Sequence, residues 1–220
     1  MIKALIFDFD YTLGDSTEGI IKSAEHALYR LSEKEKTRQE IKNTIGLSLE
    51  ETYKALTGNK DSERALLFKN YFIEKANEVM VDSAELYKDT LFVLESIKEK
   101  GYKTAIVTTK LNSRIQSILL KFSATHLIDV IVGVENVKNV KPHPEGLRLA
   151  LEKLGVNKEE AIYIGDSFVD ALASQNAEIP FVGVLTGTTD MEDFKKYKSI
   201  KICKDIKEAY NFVINNREEK

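Results

Sequence analysis

The feature that most constrains the fold of this chain is a set of short, almost continuously apolar segments. They cover residues 2–7, 104–107, 128–132, 161–164 and 180–184. A strand with one solvated face alternates apolar and polar residues, whereas a strand buried on both faces of a parallel sheet does not alternate. We therefore predict five parallel strands in the interior, with helices covering both faces of the sheet.

Helical patterns separate these apolar segments over most of the chain. One example is the stripe formed by Leu147, Ala150, Leu151 and Leu154, which fall on a single helix face. Strands that alternate with helices indicate the α/β class. From about residue 85 onward the pattern predicts a doubly wound, mainly parallel, Rossmann-like sheet core.

The segment from about residue 17 to 82 interrupts this alternation. It contains several helical patterns, including those near 48–57 and 62–80, and it lacks a convincing strand pattern. A chain of 220 residues is long enough for an α/β core and a smaller insert. We predict that residues 1–15 and 83–220 form the core and that residues 16–82 form a helical inserted domain.

Composition excludes several classes of protein. The formal net charge of -3 leaves no basic surplus of the kind that binds nucleic acid. No stretch approaches the ~20 apolar residues that cross a bilayer, and the first apolar run is too short for a secretion signal. The single cysteine, Cys203, fits a reducing compartment. We expect a cytoplasmic protein with neither nucleic-acid nor membrane partners.

Acidic residues follow two of the apolar segments. Asp8 and Asp10 come directly after the first, and Asp166 and Asp170 come directly after the fourth. The carboxyl ends of parallel strands meet at one edge of the sheet, which is the usual ligand site of this fold class. Grouped carboxylates repel one another unless a hard divalent cation offsets their charge. The pattern therefore predicts a Mg²⁺ site.

Hydroxyl groups and a lysine follow other predicted strands. Thr108 and Thr109 end the second apolar segment, and Lys141 precedes a proline-rich turn. Taken singly, a strand-end threonine and a solvated lysine are ordinary features, and an aspartate after a strand can be a helix cap. Taken together, they supply a hydroxyl donor and a cation for phosphate oxygens.

These motifs resemble, in order, those of the haloacid dehalogenase superfamily, and in particular its phosphoglycolate-phosphatase-like branch with a helical cap. The resemblance covers essentially the whole chain. It implies a Mg²⁺-dependent phosphatase that acts on a small phosphorylated metabolite, with the core as catalytic domain and the insert as cap. The residues that carry it are Asp8-Phe9-Asp10-Tyr11-Thr12, Thr108, Lys141 and Gly165-Asp166 with Asp170.

The resemblance implies a role for each acid of the first motif. Asp8 would attack phosphorus and form an aspartyl-phosphate. Asp10 would protonate the leaving oxygen and later accept a proton from water. The Asp8 carboxylate, the Asp10 backbone carbonyl and Asp166 would hold Mg²⁺.

The remaining motif residues would support this chemistry. Thr108 and Lys141 would bind the transferring phosphoryl oxygens, and Thr12 would steady the first loop. The backbone amides around Phe9 and Thr109 would add donors. Behind the metal ligands would lie Asp170 and Ser167.

Three positions depart from the pattern of the superfamily. Tyr11 replaces the customary glycine, Lys88-Asp89 replaces a common Pro-Gly, and Glu178 stands where glycine usually ends a helix. None of these changes removes a reactive group, although Tyr11 adds bulk near the nucleophile. Asp10 favours a phosphoryl substrate, because dehalogenases of this fold lack the second acid.

Several alternatives stay open on the sequence alone. A sugar-phosphate mutase resembling β-phosphoglucomutase would share the chemistry, as would a pyrophosphatase or a nucleotidase. A phosphonate hydrolase would require a lysine of the insert that forms a Schiff base. A non-catalytic binding or phospho-receiver module is a different class, because fold does not fix function, but it leaves Asp10 and the insert unexplained. The physiological substrate and the oligomeric state, monomer or dimer, are not determined.

Overall fold

The computed structural model describes residues 1–218 of the chain. Six parallel strands form the main sheet, in the order β5-β4-β1-β6-β7-β8, and two short strands, β2 and β3, form a separate pair. The strands are β1 Ala4–Phe7, β2 Gly14–Asp15, β3 Glu85–Leu86, β4 Lys103–Val107, β5 Val130–Val132, β6 Ala161–Gly165, β7 Phe181–Val184 and β8 Lys201–Cys203.

Ten α-helices accompany the strands in residues 1–218. They are α1 Thr17–Arg30, α2 Arg38–Lys42, α3 Leu49–Thr57, α4 Ser62–Ser83, α5 Thr90–Glu99, α6 Asn112–Lys121, α7 Glu145–Leu154, α8 Phe168–Ala177, α9 Met191–Phe194 and α10 Ile206–Glu218. Among these described helices, none combines the length and the apolar character that crossing a membrane requires.

Strand β1 lies in the centre of the main sheet. Its first residue, Ala4, pairs in parallel with Lys103 of β4 on one side and with Ala161 of β6 on the other. All residues of β1, β6 and β7 are buried. Burial on both faces explains why these segments are continuously apolar, and it confirms the predicted doubly wound parallel sheet.

The sequence patterns missed several short elements, among them β8 and α2. Strand β8 has only three residues and an exposed Lys201, which is too short a run to show a periodicity. Helix α2 has only five residues, but it begins with a capping box in which Thr37 and Glu40 exchange hydrogen bonds. The Thr-x-x-Glu spacing was therefore a signal for α2 that apolar periodicity could not provide.

The chain divides into two compact units. One comprises Met1–Asp15 and Leu86–Lys220, and the other, the helical unit, comprises Ser16–Glu85. Helix α4 includes Ser83, the residue at which the prediction placed the return to the core. Residues 219 and 220, which the predicted core includes, lie outside the described residues. That the two units serve as catalytic core and cap stays a prediction.

A partly buried polar network ties together the helices of the helical unit. The Tyr53 hydroxyl, on a side chain with no exposed surface, donates to Glu33 at 2.9 Å and accepts from Arg64 at 3.0 Å. Arg64 also donates to Glu33 at 2.6 Å and to the carbonyl of Leu31 at 2.9 Å. The phenol is satisfied within the unit, which offsets the cost of burying its hydroxyl.

Helix α8 is followed by its C-cap residue Glu178, whose φ of 60° lies in the left-handed region that favours glycine. An L side chain in this region costs roughly 1–2 kcal/mol, of which a glycine regains a part. We expect Glu178→Gly to raise the free energy of unfolding by roughly 0.5–1 kcal/mol in denaturant titrations. Glu178→Gln, which removes only the charge, should give no such gain, and an equal gain in both variants would contradict the backbone explanation.

Candidate active site

Asp8 follows β1 directly, at the carboxyl end of the central strand. Its amide donates to the carbonyl of Ile164 at 2.9 Å, which ties the loop after β1 to β6. The residue is only 4% exposed, and its Oδ1 accepts a hydrogen bond from Lys141 Nζ at 2.8 Å. The nucleophile predicted from the sequence therefore lies in a buried site beside a cation.

Lys141 is buried, although its sequence position in a loop is one where lysines are usually solvated. Its Nζ lies 2.8 Å from Asp8 Oδ1, 2.6 Å from Asp170 Oδ1 and 3.0 Å from the Tyr163 hydroxyl. An ammonium group has three hydrogens to donate, and these partners can take all of them. The structure thus brings the predicted Lys141, Asp8 and Asp170 into direct contact.

Three carboxylates form a cluster suited to a cation. Asp8, Asp166 and Asp170 each offer an oxygen, and these oxygens lie within 4.8 Å of one another. The loop after β7 comes so close to this cluster that a Cβ on Gly187 would lie 1.8 Å from Asp166 Oδ2. The side chain of Thr12 also reaches Asp166, at 3.4 Å. Oxygen-rich clusters of this kind are the ligands that Mg²⁺ prefers.

Asp170 is held on both of its carboxylate oxygens. Oδ2 accepts from the Ser167 amide at 3.1 Å and from its hydroxyl at 2.5 Å, forming the capping box that begins α8. Oδ1 accepts from Lys141 and from the Tyr163 hydroxyl, each at 2.6 Å. Four donors therefore hold the two Asp170 oxygens, and the position of Asp170 and Ser167 behind the metal ligands stays a prediction.

Asp10 is buried on the other side of the first loop. Its Oδ2 forms an ion pair with Lys110 Nζ at 2.9 Å, and its Oδ1 is buried with no hydrogen-bond partner among the described residues. Lys110 belongs to the loop after β4, where its amide donates to the Thr108 hydroxyl at 3.2 Å. Lys110 had no predicted role, and its position two residues after Thr108 was the only available signal.

Tyr11 has a φ of 59°, which places it in the left-handed region. Its amide donates to the carbonyl of Gly14 at 2.7 Å, and its own carbonyl accepts from the Thr186 hydroxyl. This conformation explains why glycine is the usual residue here, since glycine adopts it without strain. The tyrosine that this chain has instead is buried, at 3% exposure.

Burial dominates the electrostatics of the carboxylate cluster. It raises the pKa of Asp8 to about 7, against the lowering effect of Lys141. Burial also raises the pKa of Asp166 well above its usual value, and Asp170 adds to this by repulsion. For Lys141, burial acts to lower the pKa, but the carboxylates of Asp170 and Asp8 outweigh it and raise the pKa above its usual value. The cluster carries more negative charge than one lysine balances.

Comparison with known proteins agrees with these features. Residues 5–184 match the sequence pattern of the haloacid dehalogenase-like hydrolases. Pyrophosphatase PpaX of Bacillus velezensis is 33% identical over 183 residues, which is 83% of each chain. A Bacteroides fragilis crystal structure assigned to the haloacid dehalogenase-like hydrolases is 37% identical, with a TM-score of 0.91 over 94% of this chain and 98% of the other.

A third relative shows the same fold at lower identity. A crystal structure from Clostridium acetobutylicum is 24% identical and has a TM-score of 0.90 over 98% of this chain and 100% of the other. The chain therefore belongs to the haloacid dehalogenase-like hydrolase family. Within that family it is an enzyme of the phosphohydrolase class, which confirms the reaction class predicted from the motifs.

The predicted site residues occupy the loops at the carboxyl ends of β1, β4 and β6, together with the loop before α7. Thr108 is buried, and its amide donates to the carbonyl of Val132 at 3.0 Å. Phe9 is fully buried and Thr109 is half-buried in these loops. The roles of individual residues in binding and catalysis stay predictions, and two contributors, Lys110 and Tyr163, come from the structure alone.

Proposed function

We propose that the protein is a Mg²⁺-dependent phosphatase that hydrolyses a small-molecule phosphate monoester through an aspartyl-phosphate on Asp8. The observation that carries this proposal is the Asp8 carboxylate, buried at a strand end between Lys141 at 2.8 Å and the carboxylates of Asp166 and Asp170. A buried carboxylate beside a cation is both positioned for attack and compensated in charge.

In the first step an Asp8 oxygen attacks phosphorus, and the bond between phosphorus and the ester oxygen breaks. Asp10 donates a proton to that oxygen, so the alcohol leaves neutral. In the second step water attacks the same phosphorus, Asp10 takes its proton, and the bond to Asp8 breaks to release orthophosphate. The buried Asp10 Oδ1 without a partner supports this role, because Lys110 fixes the other oxygen and leaves Oδ1 for the proton.

Lys141 and Thr108 are proposed to bind the phosphoryl oxygens. Charge spreads over those oxygens in phosphoryl transfer, so a fixed cation beside the nucleophile stabilises the transition state. The helical unit is proposed to act as the cap whose side chains select the ester, as caps that close over a site do in other enzymes.

The residues present fit a Mg²⁺ ion. Asp8 and Asp166 supply carboxylate oxygens, and the Asp10 backbone carbonyl is the third proposed ligand. The fit rests on the short separation of the carboxylate oxygens, which also lie in a buried site where burial and the neighbouring carboxylates raise the pKa of Asp8 and of Asp166. When bound, Mg²⁺ screens the incoming phosphate from these acids and stabilises transition-state charge.

Inorganic pyrophosphate is a second candidate substrate. The relatives from Bacillus velezensis and Listeria innocua, each 33% identical to this chain, are named pyrophosphatases. The same two steps would apply, with orthophosphate in place of the alcohol as leaving group. Lys110, buried next to Asp10, adds positive charge on the side where a charged leaving group would depart.

The test is phosphate release from a panel of phosphate monoesters and pyrophosphate, measured with Mg²⁺ and with EDTA. The proposal expects release that requires the metal, and the preferred compound identifies the substrate class. Conversion of a sugar phosphate without free phosphate would instead favour a mutase. No turnover of any compound would remove the catalytic proposal and favour a binding module.

The affinity for Mg²⁺ should depend on pH. Because burial raises the pKa of Asp8 to about 7, a proton occupies this ligand below that pH in the metal-free protein. Metal binding must displace the proton, so affinity should rise as the pH increases through 7. Titration calorimetry at pH 6 and pH 8 measures the difference, and Asp8→Asn, which carries no titrating proton at this position, should lose the pH dependence arising from it.

A further inference from the structure

Tyr163 places a phenol in the middle of an apolar core. It lies on β6, has no exposed surface and packs in a cluster with Ile6, Ala105 and Leu147. Its ring centroid is 6.1 Å from that of Phe181, which lies on β7. A buried hydroxyl is costly unless it is hydrogen-bonded. The packed ring therefore fixes the position of the hydroxyl oxygen. That oxygen needs hydrogen-bond partners next to it.

Those partners are two of the charged groups in the site. The Tyr163 hydroxyl donates to Asp170 Oδ1 at 2.6 Å and accepts from Lys141 Nζ at 3.0 Å. A phenol has one hydrogen to donate, and both its donor and its acceptor capacity are used here. The Tyr163 hydroxyl thus contacts both the Lys141 ammonium and the Asp170 carboxylate.

These contacts control the direction of the lysine. A lysine side chain is flexible along its four-carbon stem and loses rotamer freedom when it is held. Asp8 and Asp170 each accept a hydrogen bond from the ammonium, which leaves its third hydrogen to be directed. The Tyr163 hydroxyl, held by a ring packed in the core, takes this third hydrogen and so restricts how the ammonium sits beside the Asp8 carboxylate.

We propose that Tyr163 is a positioning residue, whose hydroxyl holds the Lys141 ammonium beside Asp8 for phosphoryl transfer. This inference rests on the proposed function for the reaction, but the placement of Lys141 is a property of the protein itself. It predicts that removing one oxygen atom from the interior reduces turnover without removing any group that contacts the substrate.

The test compares Tyr163→Phe with Tyr53→Phe. Tyr53 is the control because its side chain is also fully buried, and its hydroxyl too donates to a carboxylate and accepts from a cation, within the helical unit. Because the substitution removes hydrogen bonds to charged groups, we expect Tyr163→Phe to lower kcat by about 10- to 100-fold. The KM should stay within about threefold of the wild-type value, since the loss falls on the transition state.

A second measurement reports the position of Lys141 without catalysis. The metal-free proteins are labelled with an amine-reactive ester, and the modified lysines are quantified by mass spectrometry. Labelling of Lys141 relative to Lys110, a buried lysine of the same unit, should increase in Tyr163→Phe and stay at the wild-type ratio in Tyr53→Phe. The ratio separates release of Lys141 from general opening of the unit.

Two results would overturn the inference. One is an unchanged labelling ratio in Tyr163→Phe, and the other is a loss of kcat that Tyr53→Phe reproduces. An inactive wild-type protein would reject the proposed function alone, because the labelling ratio still decides whether Tyr163 holds Lys141. Wild-type turnover combined with an unchanged ratio would reject the positioning role alone.

Discussion

Asp8→Asn is expected to reduce phosphate release by roughly a thousandfold or more, as removal of a nucleophile does in other enzymes. An amide oxygen keeps the shape of the carboxylate and can still accept from Lys141, but it does not form the acyl phosphate. Initial rates with the preferred substrate at saturating Mg²⁺ measure the effect. Asp129→Asn is the control, because Asp129 bonds to Lys98 and Thr104 away from the site and its replacement should leave turnover unchanged.

Asp8→Asn should also change the stability of the protein, by an amount that depends on pH. The pKa of Asp8 is about 7 in the folded protein and 3.8 ordinarily, so the folded state holds a proton that the unfolded chain releases between these values. The corresponding stability is present below pH 4 and is lost as the pH rises to 7. In EDTA, Asp8→Asn should therefore gain stability relative to the wild type between pH 5 and pH 8. A difference in melting temperature that does not change with pH would contradict this.

Lys141→Met is expected to lower both activity and stability. The lysine is the cation that Asp8 and Asp170 share, and both carboxylates are buried. Removing one partner of a buried ion pair leaves uncompensated charge and typically costs about 3–5 kcal/mol. Turnover should fall at the same time, because the proposed contact to the phosphoryl oxygens is lost. Denaturant unfolding in EDTA and steady-state rates in Mg²⁺ measure the two effects.

A surface ion pair provides the control for Lys141→Met. Lys158 pairs with Glu178, and their side chains are 40% and 69% exposed. Solvent screens such pairs, so Lys158→Met should change the free energy of unfolding by less than about 1 kcal/mol and leave turnover unchanged. If Lys141→Met and Lys158→Met lowered the free energy of unfolding equally, the buried carboxylates near Lys141 would not depend on it for their stability.

The strand ends were the part of the molecule that the sequence predicted best. Continuous apolar runs indicated strands with two buried faces, and the acids directly after them had to meet at one edge of a parallel sheet. The structure brings Asp8, Asp166 and Asp170 together in this way. Short elements escaped prediction because three residues, as in β8, cannot display a period.

Side-chain contacts between distant segments were not predictable. Tyr163 was predicted only as part of an apolar, buried strand. The residues next to it in the sequence do not show that its hydroxyl reaches Lys141 and Asp170. Lys110 was given no predicted role, because its attraction to Asp10 is visible only once the loops after β1 and β4 are adjacent. Such contacts depend on strand order, which the alternation of strands and helices does not determine.

The central position of β1 has a consequence for the order in which the protein can be made. Strand β1, which precedes Asp8, is synthesised before both of its neighbours in the sheet, whose pairing residues begin at Lys103 and Ala161. Pairings this distant in sequence form late, whereas the helices of residues 16–85 contact one another locally. During synthesis the apolar segment before Asp8 therefore stays unpaired until β4 and β6 have emerged, and chaperones that bind such segments have that interval in which to act.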